Sequence, residues 1–177
     1  MMNTKENFKG WTLFLDRDGV INERLPGDYV KGWNEFQFLD GVLDAMPILS
    51  ELFDTIVMVT NQQGIGKGLM TDQDLEDIHQ RMMGDIIENG GRIDQIFYCP
   101  ALAADNPACR KPNAGMAFEA KEMFPDIDFT QSMIVGDSPT DMQFGEKVGM
   151  ECAYIGQLEG YTCFESLIHF ARVITSK

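Results

Sequence analysis

A chain of 177 residues with a formal net charge of -14 is long enough to bury a real core, and the expectation is one domain over residues 1–177. The charge argues against nucleic acid and membrane surfaces as partners, because both need basic patches. No apolar stretch approaches the ~20 residues that span a bilayer, and the polar start Met1–Lys9 lacks a secretory apolar run, so a cytoplasmic protein is expected.

In that compartment the four cysteines, Cys99, Cys109, Cys152 and Cys163, read as thiols rather than disulfides. Repeats, low-complexity tracts and linkers are not evident. Any anionic ligand would need a local cluster of cations to overcome the overall field.

Along the chain, Trp11–Leu15 is an apolar run that stops at Asp16-Arg17-Asp18-Gly19, the mark of a buried parallel strand ending in a turn. Ile21–Phe38 is irregular, with Pro26, Gly27 and Gly32. Val42–Phe53 carries apolar residues at helical spacing, and Thr55–Thr60 is a β-branched strand that runs into Asn61-Gln62. Thr71–Glu88 has a Thr N-cap, an acidic first turn and one apolar face, so it is a helix stopped by Gly90-Gly91. Strands at Ile93–Cys99, Ser132–Val135 and Cys152–Ile155 then alternate with helices at Ala114–Phe124, Pro139–Val148 and Phe164–Ile174. Proline at the first turn of the Pro139 helix costs no hydrogen bond.

Alternation of this kind predicts an α/β fold, a Rossmann-like three-layer sandwich with a central parallel sheet. Three strands end in polar residues: Asp16 and Asp18, Thr60 and Asn61, and Asp137. Side chains alternate along a strand, so Asp16 and Asp18 emerge on the same side, at the carboxyl edge where open α/β sheets place ligands. Two such charges repel unless one is protonated or a cation lies between them. Mg2+ suits the second case, because it takes a few carboxylates together with water and phosphate oxygens. The competing reading is an Asp-rich turn that caps the next segment.

Phosphate-ester hydrolysis matches the inventory. A carboxylate nucleophile divides one slow displacement into two easier steps, and a second acid can protonate the leaving oxygen and then deprotonate water. A hydroxyl, an amide and a lysine can stabilise the phosphoryl oxygens.

Asp16-x-Asp18-Gly19, Thr60 after a strand, Lys111 in Arg110-Lys111-Pro112, and Gly136-Asp137-Ser138-x-x-Asp141 together resemble the haloacid dehalogenase (HAD) superfamily of phosphatases. Asp16–Asn22, Thr60-Asn61-Gln62, Cys99-Pro100 and Arg110-Lys111-Pro112 resemble, more narrowly, the branch containing heptose bisphosphate 7-phosphatases and histidinol-phosphatases. The resemblance implies Asp16 as nucleophile and metal ligand, and Asp18 as general acid/base with its carbonyl on the metal. It implies Asp137 as a further metal ligand, Thr60 and Asn61 as phosphoryl binders, Lys111 as stabiliser of nucleophile and phosphate, and Arg110 as substrate clamp. Lys111 could instead be a solvated surface lysine. Asp141 is either a metal ligand or a residue that complements the helix dipole or steadies a neighbour.

The branch's zinc loop, Cys-x-His and Cys-x-Cys, corresponds here to Cys99-Pro100-Ala101 and Pro107-Ala108-Cys109. Two ligands cannot close a tetrahedral structural site, so no structural zinc is expected and Cys99 and Cys109 read as ordinary thiols. The segments after Gly19 and after Pro100 are too short for a cap domain, which leaves loops Leu25–Phe36, Gly64–Met70 and Pro100–Cys109 to screen the site.

Gly64-Ile65-Gly66-Lys67-Gly68 lacks the spacing and hydroxyl residue of a phosphate-binding P-loop. His79 and His169 read as structural or surface residues, and the twelve methionines as core filler. The expected function is Mg2+-dependent hydrolysis of a small phosphorylated metabolite, with heptose bisphosphate favoured. The alternatives are histidinol-phosphate and a non-catalytic binding module on the same fold. Oligomeric state is not readable from the sequence.

Overall fold

The computed structural model describes residues 8–176; most of the polar Met1–Lys9 stretch lies outside them. Six parallel strands form one sheet: β1 (Thr12–Leu15), β2 (Thr55–Asn61), β3 (Gln95–Cys99), β4 (Ser132–Gly136), β5 (Glu151–Ile155) and β6 (Thr162–Phe164). Their order is β3-β2-β1-β4-β5-β6. The chain therefore builds outward from β1 in one direction, returns, and builds outward through β4 in the other. The reversal between β1 and β4 is the crevice where such sheets take ligands.

Helices α1 (Val42–Leu52), α2 (Asp72–Glu88), α3 (Gly115–Met123), α4 (Pro139–Val148) and α5 (Leu167–Thr175) cover both faces. The alternation of side chains sorts the core into two layers. Leu13, Leu15, Ile56, Met58 and Val135 pack with α1, α2 and α5. Phe14, Val57, Val59 and Ile134 face the other way, onto α3 and α4. The expected three-layer α/β architecture is present. Among the described residues, the segments after Gly19 and Pro100 hold only short helical turns, Trp33–Glu35 and Ala103–Asp105, and no inserted domain.

Two expectations need correcting. The expected helix from Phe164 to Ile174 is instead a three-residue strand, β6, followed by α5 starting at Leu167. The strand is too short to display a period of its own, and Phe164 is buried on its last residue. Cys99 and Cys109, expected to be thiols, are joined in a disulfide with their Cα atoms 5.4 Å apart. The loop after β3 doubles back across a sequence separation of 10, a return path that composition does not reveal. Cys152 and Cys163 are free.

Candidate active site

Asp16 follows β1, and its N–H continues the ladder to the Val135 carbonyl at 3.0 Å. It is therefore fixed by the sheet rather than by a loop. Gly19 takes a φ of +89° and lies so close to Asp137 that a Cβ there would collide with the carboxylate. Glycine thus permits both the turn and the approach of β4's acid to β1's. Gly136 plays the same part beneath Asp141, whose carboxyl group leaves no room for a Cβ. One oxygen from each of Asp16, Asp137 and Asp141 falls within 4.8 Å of the others. This hard, all-oxygen donor set is what Mg2+ prefers.

Lys111 is buried among these acids. Its ammonium donates to Asp16 Oδ1 at 2.8 Å, Asp141 Oδ1 at 2.7 Å and the Val59 carbonyl at 2.7 Å, which uses all three of its protons. The surface-lysine reading is excluded. Asp141 is fully buried, and its other oxygen accepts from the Ser138 N–H at 3.0 Å and hydroxyl at 2.8 Å, capping α4. It steadies Lys111 and the helix start together.

Asp18 has different company. Arg17 Nη2 forks onto its two oxygens at 2.9 and 3.2 Å, Asn22 donates to Oδ1 at 2.9 Å, and Gln62 donates to Oδ2 at 2.8 Å. Burial would raise its pKa, but the Arg17 charge and the hydrogen bonds from Asn22, Arg17 and Gln62 outweigh it and hold the group below the usual carboxylate value. Asp16 goes the other way. Burial and then the Asp141 charge lift it to about 7 against the pull of Lys111. Asp137 is raised to about 6, by burial foremost and only partly relieved by Arg24. Burial would lower Lys111, yet Asp141 and Asp16 keep it above the ordinary ammonium value.

Around this cluster lies a cavity of about 440 Å3 whose wall includes Asp16, Asp18, Arg24, Tyr29, Lys67 and Arg110. Two of the three expected screening loops, Leu25–Phe36 and Gly64–Met70, contribute to it. The third, Pro100–Cys109, stands outside the wall and leads into Arg110. Arg110 Nη1 is buried without a hydrogen-bond partner. Arg24 donates to Asp137 Oδ1 at 2.6 Å and to the Asp18 carbonyl at 3.3 Å.

The structure thus brings Asp16, Asp18, Asn61, Lys111 and Arg110 to one cavity, with an Asp137 oxygen within 4.8 Å of Asp16 and Asp141 oxygens. Thr60 and Asn61, expected to bind the phosphoryl group, also make bonds within the protein. The Thr60 hydroxyl accepts from Gln62 at 3.0 Å. The Asn61 amide brackets the Lys111 backbone, accepting from its N–H at 3.0 Å and donating to its carbonyl at 3.1 Å. Arg17, Asn22 and Gln62, to which the sequence assigns no role, make every side-chain bond to Asp18 described above. Their spacing of one and four residues from Asp18 was a usable signal for two of them. Nothing local pointed to Gln62.

The sequence profile of the polynucleotide kinase 3 phosphatase family matches residues 13–153. The D-glycero-alpha-D-manno-heptose-1,7-bisphosphate 7-phosphatase of Mycobacterium bovis is 40% identical over 138 residues, 78% of this chain and 73% of that protein. The corresponding beta-heptose enzyme of Vibrio cholerae is 37% identical over 145 residues, 78% of this chain and 76% of that one. The crystal structure of a D,D-heptose 1,7-bisphosphate phosphatase from B. bronchiseptica, complexed with magnesium and phosphate, superposes with a TM-score of 0.86 at 32% identity, covering 94% of this chain and 98% of its own. The chain belongs to the polynucleotide kinase 3 phosphatase family and is a phosphatase of the HAD superfamily.

Proposed function

We propose that this enzyme removes the 7-phosphate of D-glycero-D-manno-heptose 1,7-bisphosphate, with Mg2+ as cofactor and without structural zinc. The observation that carries the reading is the placement of cations at two levels. Lys111 sits at the floor beside Asp16, while Arg110, Arg24 and Lys67 stand in the cavity wall, and Arg110 keeps a buried nitrogen free of protein partners. A substrate with one phosphate at the floor and a second anion at the mouth uses both levels.

Asp16, Asp137 and the Asp18 carbonyl would hold the metal, which when bound neutralises charge between nucleophile and phosphate. An Asp16 oxygen forms a bond to phosphorus as the bond from phosphorus to the sugar oxygen breaks, and Asp18, ionised in this structure, passes to that oxygen a proton it has taken up from the monoprotonated phosphate ester bound beside it. Asp18, now ionised, takes a proton from water as the water oxygen attacks phosphorus, which releases phosphate and restores Asp16. Lys111 compensates charge on Asp16 and the phosphoryl oxygens throughout.

A histidinol-phosphate site would want an acid free to meet an amine. Of the acids in the wall, the one outside the phosphoryl cluster, Asp28, is already engaged by Lys31 at 2.8 Å and by the Tyr29 N–H at 2.8 Å, which favours the sugar bisphosphate.

Phosphate release from both anomers of the bisphosphate, from heptose 7-phosphate and from histidinol-phosphate tests the reading. The bisphosphate is expected to have the highest kcat/KM, and equal or better turnover of histidinol-phosphate would overturn it. Elemental analysis of protein purified without added metal tests the zinc statement; stoichiometric zinc would refute it.

A further inference from the structure

We propose that His79 is a positioning residue for catalysis, acting through Arg17 to hold Asp18 against the leaving group. The proposal rests on the role given to Asp18 above.

Arg17 is fully buried, and its guanidinium is gripped at two edges. Nη2 forks onto Asp18, and Nη1 lies 3.2 Å from His79 Nε2. A guanidinium can only donate, so Nε2 must present its lone pair, and the ring is neutral with its proton on Nδ1. Burial, and then the Arg17 charge, agree, keeping the imidazole pKa down to about 3. Arg17 Nε is buried without a hydrogen-bond partner, so no hydrogen bond from Nε helps to fix the plane of the fork.

His79 comes from α2, 62 residues away in sequence, and packs edge-on to Tyr98 of β3 with ring centroids 6.4 Å apart. It is the tether between that helix and the acid. Without its acceptor the guanidinium can pivot about Asp18, and the carboxyl group pivots with it. An apolar side chain of similar bulk would fill the same space more cheaply, because a buried polar ring needs its partners. A lone acceptor aimed at the one cation that grips Asp18 does a job that packing does not.

Leaving-group dependence separates positioning from mere packing. A sugar alkoxide must be protonated as it departs, whereas p-nitrophenolate leaves without a proton. Single-turnover release of the leaving group would be measured with Mg2+-loaded enzyme, using heptose bisphosphate and p-nitrophenyl phosphate. His79→Leu is expected to slow the sugar ester by roughly tenfold or more, a fraction of what general acid catalysis supplies, while leaving the nitrophenyl ester within about twofold. His79→Gln, whose carbonyl can accept from Arg17, should recover most of the loss.

Equal slowing of both esters, no slowing of either, or a glutamine variant no better than leucine would overturn the proposal. Asp18→Asn guards the premise. If it shows no difference between the esters, the role of Asp18 falls; if it shows one and His79→Leu does not, only the role of His79 falls. Should the leucine variant fail to fold, His79→Asn repeats the test with a polar side chain too short to reach Arg17.

Discussion

Asp16 and Asp18 leave one strand two residues apart and end in opposite surroundings. Asp16 is ringed by other acids and has one cation, Lys111, so burial and Asp141 lift it to about 7. Asp18 is ringed by fixed donors from Arg17, Asn22 and Gln62, and despite its burial it stays below the usual carboxylate range. The first site is short of positive charge and suited to a metal and a phosphoryl group. The second is complete within the protein. Identical side chains shift in opposite directions because their neighbours differ: Asp16 needs a cation beside it to act as an ionised nucleophile, and Asp18 must be supplied with the proton it carries.

The sharpest way to break the comparison is Asp16→Asn. An amide cannot serve as this nucleophile, so turnover should fall at least ~1000-fold, over 4 kcal/mol in the barrier, with the melting temperature preserved. Residual activity near wild type would refute the division of roles. Lys111→Met removes the buried cation from the acid ring. Breaking a buried pair costs about 3–5 kcal/mol, to be read by urea denaturation in the absence of metal, and activity should be lost with it.

Mg2+ should displace protons from Asp16 and Asp137 and not from Asp18, whose carbonyl, not its carboxylate, is the group assigned to the metal. A raised carboxyl pKa means that the folded protein keeps protons the unfolded chain has released. Without metal, stability therefore falls as pH rises from the ordinary carboxylate value of 3.8 through about 7 for Asp16 and about 6 for Asp137. Mg2+ competes with those protons. Saturating metal should add about 2–3 kcal/mol at ~pH 8, dwindling as the pH falls through that window. A calorimetric shift independent of pH would contradict the charge-poor picture.

On the Asp18 side, Gln62→Leu removes one of its donors and should lower kcat roughly ten- to a hundredfold, corresponding to about 1.5–3 kcal/mol for a hydrogen bond to a charged group. The smallest effect concerns Arg24, half exposed and bonded to Asp137 and the Asp18 carbonyl, two positions assigned to the metal. Arg24→Ala should tighten Mg2+ binding by up to about fivefold, the reach of an exposed ion pair, in a titration without substrate. Weaker Mg2+ binding would show that the arginine supports the metal site instead.

Much of this arrangement was legible from residue order. The β1 run stopping at Asp16, the polar ends of β2 and β4, and Pro139 opening α4 are local signals, and the sheet joins them because parallel strands must end on one edge. What was not legible depends on approach across space. Asn61, expected to bind the phosphoryl group, lines the cavity and also brackets the Lys111 backbone, 50 residues on, a contact that no local signal announces. His79, expected to be a structural or surface residue, is tied to Arg17 by a contact 62 residues away in sequence. The Cys99–Cys109 bond follows from a loop path, and β6 from three residues that reveal themselves only by pairing with Ala153–Ile155.

The Val59 carbonyl that takes one proton of Lys111 has a consequence for which residues this position can accept. Its three acceptors, two carboxylates and a main-chain oxygen of β2, converge on a single nitrogen and so suit the compact ammonium of lysine. Arginine would preserve the charge but spread its donors across a longer, planar fork, and could not satisfy the three acceptors from one point. Position 111 therefore selects for the shape of the cation as strictly as for its sign.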